Sequence, residues 1–388
     1  MEFDYVRRRC KSRSLQRLMP ISGISQGLGI GGGACATSSG APGGASTPLI
    51  IYTITNSGSA FYLRSSGTVD YTVDWGDGNS ETSTSNTLLH TYSASGTYTI
   101  NVSSDIAYRP YFNNSGATGE DQITSVELQD GFSLGTNLTS AWKGGQYITT
   151  FAASGATGTV ENFSIAFSTL TALTSFPALA ASSGTTFYQA WYNCNSLTSF
   201  PALDVSSGLS FAAAWSSCSS LTSFPALDAS SGTTFQSAWE SCTGLTSFPA
   251  LDVSSGATFK YAWYGCNNLT SFPALDVSSG ANFFGTWRNC SSLATFPADM
   301  FDTTGTVTGG GYGAGFFDAW KNCALTAQSI ENILVSLVAN GATSVTLTMS
   351  GGSNAAKSAW TTDAVTAYDT LVLPVASGGR GWTITFNA

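Results

Sequence analysis

A repetition every 24 residues constrains this chain more than any other feature. Trp191, Trp215, Trp239, Trp263 and Trp287 occupy one position of it, and Cys194, Cys218, Cys242, Cys266 and Cys290 a second. Pro177, Pro201, Pro225, Pro249, Pro273 and Pro297 occupy a third. One unit reads Leu197-Thr198-Ser199-Phe200-Pro201-Ala202-Leu203-Asp204-Val205-Ser206-Ser207-Gly208, followed by Phe211, Trp215 and Cys218. Looser copies extend the series: Trp142 with Phe151, Phe167 with Phe176, and Trp320 with Cys323 after the glycine-rich stretch 305–315. A unit this short cannot bury its own Leu, Phe, Trp and Cys, so units must stack on one another.

Two periods coexist inside each unit. Leu197-Thr198-Ser199-Phe200 alternates as a strand does, and Pro201 forbids its regular continuation. Phe211, Trp215 and Cys218 stand at i, i+4 and i+7, the spacing of one face of a short helix. One strand and one short helix per 24 residues predict a solenoid. At ~4.8 Å per strand, eight coils would enclose a continuous core about 35 Å long.

Composition supports this. Charged residues make up 10% of the 388-residue chain, where about 25% is usual, because Leu, Phe, Trp, Cys, Thr and Ser fill the repeat. His90 is the single histidine, which leaves histidine-dependent catalysis and His-built metal sites without side chains. No nucleophile elbow, phosphate loop, zinc-protease helix or dinucleotide fingerprint occurs, so a non-enzymatic protein without a cofactor is expected. The net charge of −9 divides into +4 in residues 1–18 and therefore −13 in the remainder. An acidic body repels phosphate backbones, and no nucleic acid is expected to bind it. The longest apolar runs, such as Leu49–Tyr52 and Ile333–Val338, fall well short of the ~18 residues a membrane helix needs, so no membrane insertion is expected.

Four regions follow. Residues 1–46 are basic and then Gly-rich, with too little apolar surface to order alone. They read as an anchor, Arg7, Arg8, Arg9 and Arg13 facing another component of an assembly; whether Met1 or Met19 opens the natural chain stays open. Residues 47–104 carry period-2 runs and turn chemistry, a small β-sandwich. Residues 105–323 hold the solenoid, and 324–388 an α/β cap, with a helix over Ser329–Asn340, strands over 343–349 and 381–386, and a longer helix over 355–371.

At Val73-Asp74-Trp75-Gly76-Asp77-Gly78, His90-Thr91-Tyr92 and Gly96-Thr97-Tyr98-Thr99-Ile100, the second region resembles the PKD family of immunoglobulin-like domains. That resemblance implies a spacer in which Trp75 is core, Gly76-Asp77-Gly78 a tight turn and His90 structural. The Cys-x-x-Leu-Thr-Ser-Phe pattern with an upstream aromatic segment resembles the BspA-like leucine-rich repeats of bacterial surface proteins and bacteriophage structural proteins. It covers roughly 120–330. The proline after each strand aromatic, and Trp in place of Phe or Met, depart from that pattern and weaken any transfer of a particular ligand.

Eight cysteines invite disulfide counting, yet six recur at one place in successive units. Parallel side chains on helices ~8–10 Å apart would form a ladder of buried thiols and no disulfide. Asp204, Asp228, Asp252 and Asp276 make a second ladder, read as capping the following turn, with a bound calcium as the alternative.

Variation among the units points to a partner. Leu-Thr-Ser-Phe-Pro-Ala-Leu hardly changes, whereas the residues after the core Phe and Trp do: Tyr188-Gln189, Ala212-Ala213, Gln236-Ser237, Lys260-Tyr261, Phe284-Gly285; Tyr192-Asn193, Ser216-Ser217, Glu240-Ser241, Tyr264-Gly265, Arg288-Asn289. Tyr188, Tyr192, Lys260, Tyr261, Tyr264 and Arg288 are therefore the candidate contacts to a host-surface glycan or protein, drift on a solvated face being the alternative. In the cap, 350–354 and 377–380 are candidate distal loops. The expected protein is a bacteriophage virion component displayed on the particle surface, joined to other virion proteins through 1–46 and adhering to the host, as a tail fibre does. A capsid or tail decoration protein and a bacterial surface or secreted adhesin are the alternatives; homo-oligomerisation stays open.

Overall fold

A computed structural model describes residues 50–387, apart from 68–69, 105–107, 113–121, 154–157, 305–306 and 308–314. The anchor arginines Arg7, Arg8, Arg9 and Arg13, with Cys10 and Cys35, lie outside the described residues. The described chain is mainly β, with several sheets and two α-helices, and none of these sheets closes into a barrel.

Strands β1 (Ile50–Ser57), β2 (Ala60–Arg64), β3 (Tyr71–Asp74), β4 (Ser80–Ser83), β5 (Thr87–Thr91) and β6 (Ser95–Ser103) occupy the region read as a sandwich. Strands β7 (Ile123–Leu128) and β8 (Thr150–Ala153) follow. One sheet runs β4-β3-β6-β1-β7-β8 and a second pairs β2 with β5. Alternation decides the faces: in β3, Tyr71 and Val73 are buried while Thr72 and Asp74 are exposed. Trp75 is buried. Its indole donates to Glu81 Oε1 (2.9 Å), its carbonyl accepts from Tyr92 Oη (3.0 Å), and His90 stacks on it at 4.7 Å. Gly76 turns with φ +76°, and a Cβ there would lie 2.4 Å from the Thr99 carbonyl oxygen. His90 Nε2 meets Asp77 Oδ2 at 2.9 Å, which places the lone histidine in the packing of this turn.

The sheet does not stop at residue 104. β1 pairs antiparallel with β7, and β7 pairs parallel with β8, Val126 facing Phe151. Phe151 then stacks on Phe176 at 5.8 Å and Phe176 on Phe200 at 5.9 Å. Further along, equivalent positions 24 apart meet in isolated parallel bridges, such as Ser175 with Ser199 and Ser271 with Thr295, rather than in a regular strand ladder. The proline after each Phe accounts for this, since it removes the N–H that would continue the pairing. Thr198, Thr222 and Thr270 donate both backbone N–H and Oγ1 to the carbonyl of the Thr 24 residues earlier.

No helix forms where i, i+4, i+7 spacing suggested one. In 187–193 the chain instead makes successive turns, with Gln189 at φ +51° and Asn193 at φ +57°. Ala190, Tyr192 and Cys194 donate back to the carbonyls of Phe187, Gln189 and Trp191. The alternate N–H groups of Phe187, Gln189, Trp191 and Asn193 donate forward to Ser210, Ala212, Ala214 and Ser216. Four forward bonds of this kind join each neighbouring pair from Leu138–Gly144 through to Gly315–Lys321. A residue forced left-handed costs about 1–2 kcal/mol; here these paired bonds offset it. A left-handed residue every fourth position returns the side chain to the same face after four residues, a spacing shared with a helix. Phe, Trp and Cys point inward by either route.

Inside, Trp191, Trp215, Trp239, Trp263, Trp287 and Trp320 stack at 5.1–5.9 Å. Phe rings meet them edge-on, as Phe248 does Trp239 at 4.9 Å. Gly208 is needed under this layer because a Cβ would lie 2.4 Å from the Phe211 ring. The six repeat cysteines are buried and free, each Sγ donating to the carbonyl of the Trp (Phe167 for Cys194) in the preceding unit at 3.0–3.2 Å. The expected reason was wrong in one respect. Neighbouring units sit ring-stacking distance apart, not helix distance, so spacing alone would permit a disulfide; parallel thiols already bonded to carbonyls keep them apart. The aspartate ladder caps turns: Asp204, Asp228 and Asp252 each accept from the N–H and hydroxyl of the Ser two residues on, and Asp276 accepts from the N–H of Ser278.

The C-terminal region holds α1 (Ala327–Asn340), β9 (Thr346–Met349), α2 (Thr362–Val372) and β10 (Thr383–Phe386), with β9 and β10 parallel. Thr326 caps α1 by accepting from Ser329 N, and Gly341 ends it at φ +78°. The second helix is shorter than the expected 355–371, being preceded by a single 3-10 turn at Lys357–Ala359. Ser329 Oγ donates to the Ala294 carbonyl and Asn354 Nδ2 to that of Trp320, while Trp382 stacks on Phe316 at 6.1 Å. The 350–354 loop is thus bonded to the last repeat: Asn322 N donates to the Ser350 carbonyl and Ser353 N to that of Cys323. It closes the core rather than presenting a free distal loop.

Candidate binding face

The turns place Tyr188, Gln189, Tyr192 and Asn193 on the outside, because their neighbours Phe187, Ala190, Trp191 and Cys194 are fully buried. Repeating the same turns in the next two units sets different side chains beside them. The result is a shallow trough of about 300 Å³ across three units. Tyr188, 43% exposed, and Tyr192 form one wall. Small residues, Ala212, Ala213 and Ser216, make the floor. Gln236 and Glu240 stand opposite.

The other four candidates lie further along the same face; Lys260, Tyr261 and Tyr264 engage one another, and Arg288 engages Asp318. Lys260 Nζ lies 5.6 Å from the Tyr261 ring centre and 5.5 Å from that of Phe284. Tyr261 packs edge-on against Tyr264 (5.4 Å) and Phe284 (5.0 Å). Its close approach requires Gly285, where a Cβ would come 2.6 Å from the Tyr261 ring. Tyr264 Oη accepts from Asn289 Nδ2 at 3.0 Å. Arg288 binds the nearly buried Asp318 carboxylate at 2.6 Å, with Lys321 at 3.7 Å from the same oxygen. The stripe expected from sequence therefore splits into an open trough holding Tyr188 and Tyr192, a cluster of Lys260, Tyr261 and Tyr264 around Phe284, and Arg288 paired with Asp318.

Sequence reasoning passed over Gln236, Glu240 and Asp318. Gln236 and Glu240 were visible as variable positions at the Tyr188 and Tyr192 slots two units on, but their opposition across small residues depends on the stacking order. A second concavity of about 320 Å³ lies by strands β2 and β5, beside Arg64, Ser66, Asn86 and Tyr111. Among the described residues no three His, Cys, Asp or Glu side chains converge as a metal site would require, and no helix is long and apolar enough to cross a membrane. No protein-family model, curated protein or solved structure matches the chain.

Proposed function

We propose that this is a non-enzymatic structural protein of a bacteriophage virion, held in the particle by residues 1–46 and displaying a leucine-rich-repeat-type solenoid for adhesion to the host surface. The PKD-like sandwich is the spacer between anchor and solenoid. The solenoid reading is supported by parallel bridges between positions 24 apart from Asn162 to Asn282. The observation that carries adhesion is the contrast between two sides of one repeat. The Thr/Ser edge stays uniform, whereas the turn face varies and opens a trough walled by an exposed tyrosine.

Deleting residues 1–46 is expected to abolish incorporation into particles, read by labelling purified virions. Unaltered incorporation, or absence of the full chain from virions, refutes the reading. The second reading, a capsid or tail decoration protein, draws on the other half of the face, where Lys260 is engaged with Tyr261 and Phe284 and Arg288 with Asp318. Replacing Tyr188 and Tyr192 by Ala separates the two: host attachment falls for an adhesin and is unchanged for a decoration protein.

A further inference from the structure

We infer that the trough between Tyr188 and Glu240 binds a neutral saccharide, an inference that rests on the adhesion reading and names its ligand class. Four observations narrow the chemistry. First, among the described residues no cation lines the trough and Glu240 is its one charged side chain. Within a chain of net charge −9, that lining repels phosphate, sulfate and carboxylate ligands. Second, most of the backbone beneath is already paired, with no continuous row of open groups: Gln189 N donates to the Ala212 carbonyl, Ala213 N to that of Gln236, and Tyr192 N and Ser216 N back to Gln189 and Ala213. An extended peptide therefore has no edge to add to, since strand addition needs unpaired backbone groups.

Third, the floor carries nothing larger than Ala and Ser, so no apolar pocket exists for an aliphatic or aromatic anchor. What remains is a tyrosine wall, amide and hydroxyl groups, and one carboxylate. Such a set suits a ring with an apolar face and a polyhydroxylated rim. Tyr188 would lie against the face, and Glu240 and Gln236 would accept from and donate to the hydroxyls. Fourth, a volume of about 300 Å³ stands at the small end of ligand sites, and the trough is open to solvent. One or two sugar rings fit it, with the rest of a glycan running out along the face. A single carboxylate beside many neutral groups also fits a sugar better than a lysine-rich peptide, which is stabilised by several acids.

The test uses the full chain and saturation-transfer NMR with maltotriose, lactose and chitotriose. Sialyllactose and a lysine-rich peptide serve as charged probes, all at about 10 mM so that a contact of about 4 kcal/mol, a Kd near 1 mM, is populated. The expected result is transfer to the ring protons of at least one neutral sugar. Tyr188→Ala should reduce the signal about tenfold, the loss of ~1.4 kcal/mol of contact, and Glu240→Gln, which keeps the shape, should reduce it several-fold. Tyr147→Ala, at an exposed tyrosine elsewhere, should leave it unchanged. Binding to no neutral sugar, equal binding in the Tyr188 and Glu240 variants, or preference for a charged probe each overturns the inference. If Tyr188→Ala weakens host attachment while no sugar binds, the saccharide is wrong and adhesion stands. If the chain is absent from virions yet binds sugar through Tyr188, the reverse holds.

Discussion

Trp239 offers a test of how this core is held together. Its ring is 1% exposed, stacked 5.5 Å from Trp215 and 5.2 Å from Trp263, with Phe224 and Phe248 edge-on at 5.4 and 4.9 Å. Its indole N–H, like those of Trp191, Trp215, Trp263, Trp287 and Trp320, is buried without a hydrogen-bond partner. Trp239→Ala removes the stack and leaves a cavity, and a loss near the upper end of the ~3–5 kcal/mol range is expected. Trp239→Phe gives up ~50 Å² of apolar contact, about 1 kcal/mol, and a cavity cost of similar size. It also removes an unsatisfied donor, whose burial costs roughly 1–3 kcal/mol. The two nearly cancel, so Trp239→Phe should fall within ~1 kcal/mol of the parent. The chain contains a precedent in Phe167, which stacks on Trp142 and Trp191 at 5.2 and 5.9 Å in the same slot. Urea denaturation of the three proteins, compared at constant slope, measures the difference. A Trp239→Phe loss of about 3 kcal/mol or more would refute the cancellation, since the indole N–H would then be contributing rather than costing.

Three further outcomes are expected. Burial pushes the Cys194 thiol up to about 12 and holds Cys218, Cys242, Cys266, Cys290 and Cys323 well above the ordinary thiol value. In a Cys10→Ser/Cys35→Ser background, an aromatic disulfide reagent at pH 8 should therefore reach these six only after denaturation, and prompt labelling of the native chain would contradict the buried ladder. Burial alone would raise the Asp77 carboxyl, but hydrogen bonds from Asn79 and His90 outweigh it and lower the group below its ordinary value. Its stabilisation is thus complete above about pH 4 and lost as pH falls through the folded value; Asp77→Asn should lower the melting temperature at pH 7, with the deficit vanishing in acid. Gly208→Ala should cost about 1–3 kcal/mol through overpacking against Phe211, and an unchanged thermal midpoint would show that the ring moves aside freely.

Periodicity made the inward residues legible. Phe187, Trp191, Cys194, Leu197 and Phe200 are all buried, and the second region is made of strands, as its period-2 runs suggested. Backbone conformation was less legible. Left-handed slots are filled by Gln189, Ala213, Ser237 and Tyr261, residues that carry no glycine signal, so the helix-like spacing could not be told from a run of turns. The trough was half legible: Tyr188 and Tyr192 stood out as exposed aromatics at variable positions. Their facing wall was hidden because it comes from residues 44–52 positions later, brought close only by stacking. Lys260 and Arg288 looked like free charges, and only the structure shows them engaged with Phe284 and Asp318.

The forward-donating turns have a consequence for length. Each interior unit gives four backbone bonds to the next and takes four from the one before, so excising one whole unit leaves donors and acceptors matched at the new junction. Removing residues 209–232 would bring Gly208 to Thr233, the same kind of junction at which Gly232 already meets Thr233, and shorten the stack by one step of ~4.8 Å. Duplication would lengthen it by the same step, while a cut that removes part of a turn segment such as 211–217 would leave forward donors without their acceptors. The molecule is in this sense a ruler graduated in single units. Its reach can change in whole steps without redesign of the sheet that begins it or the helices that close it.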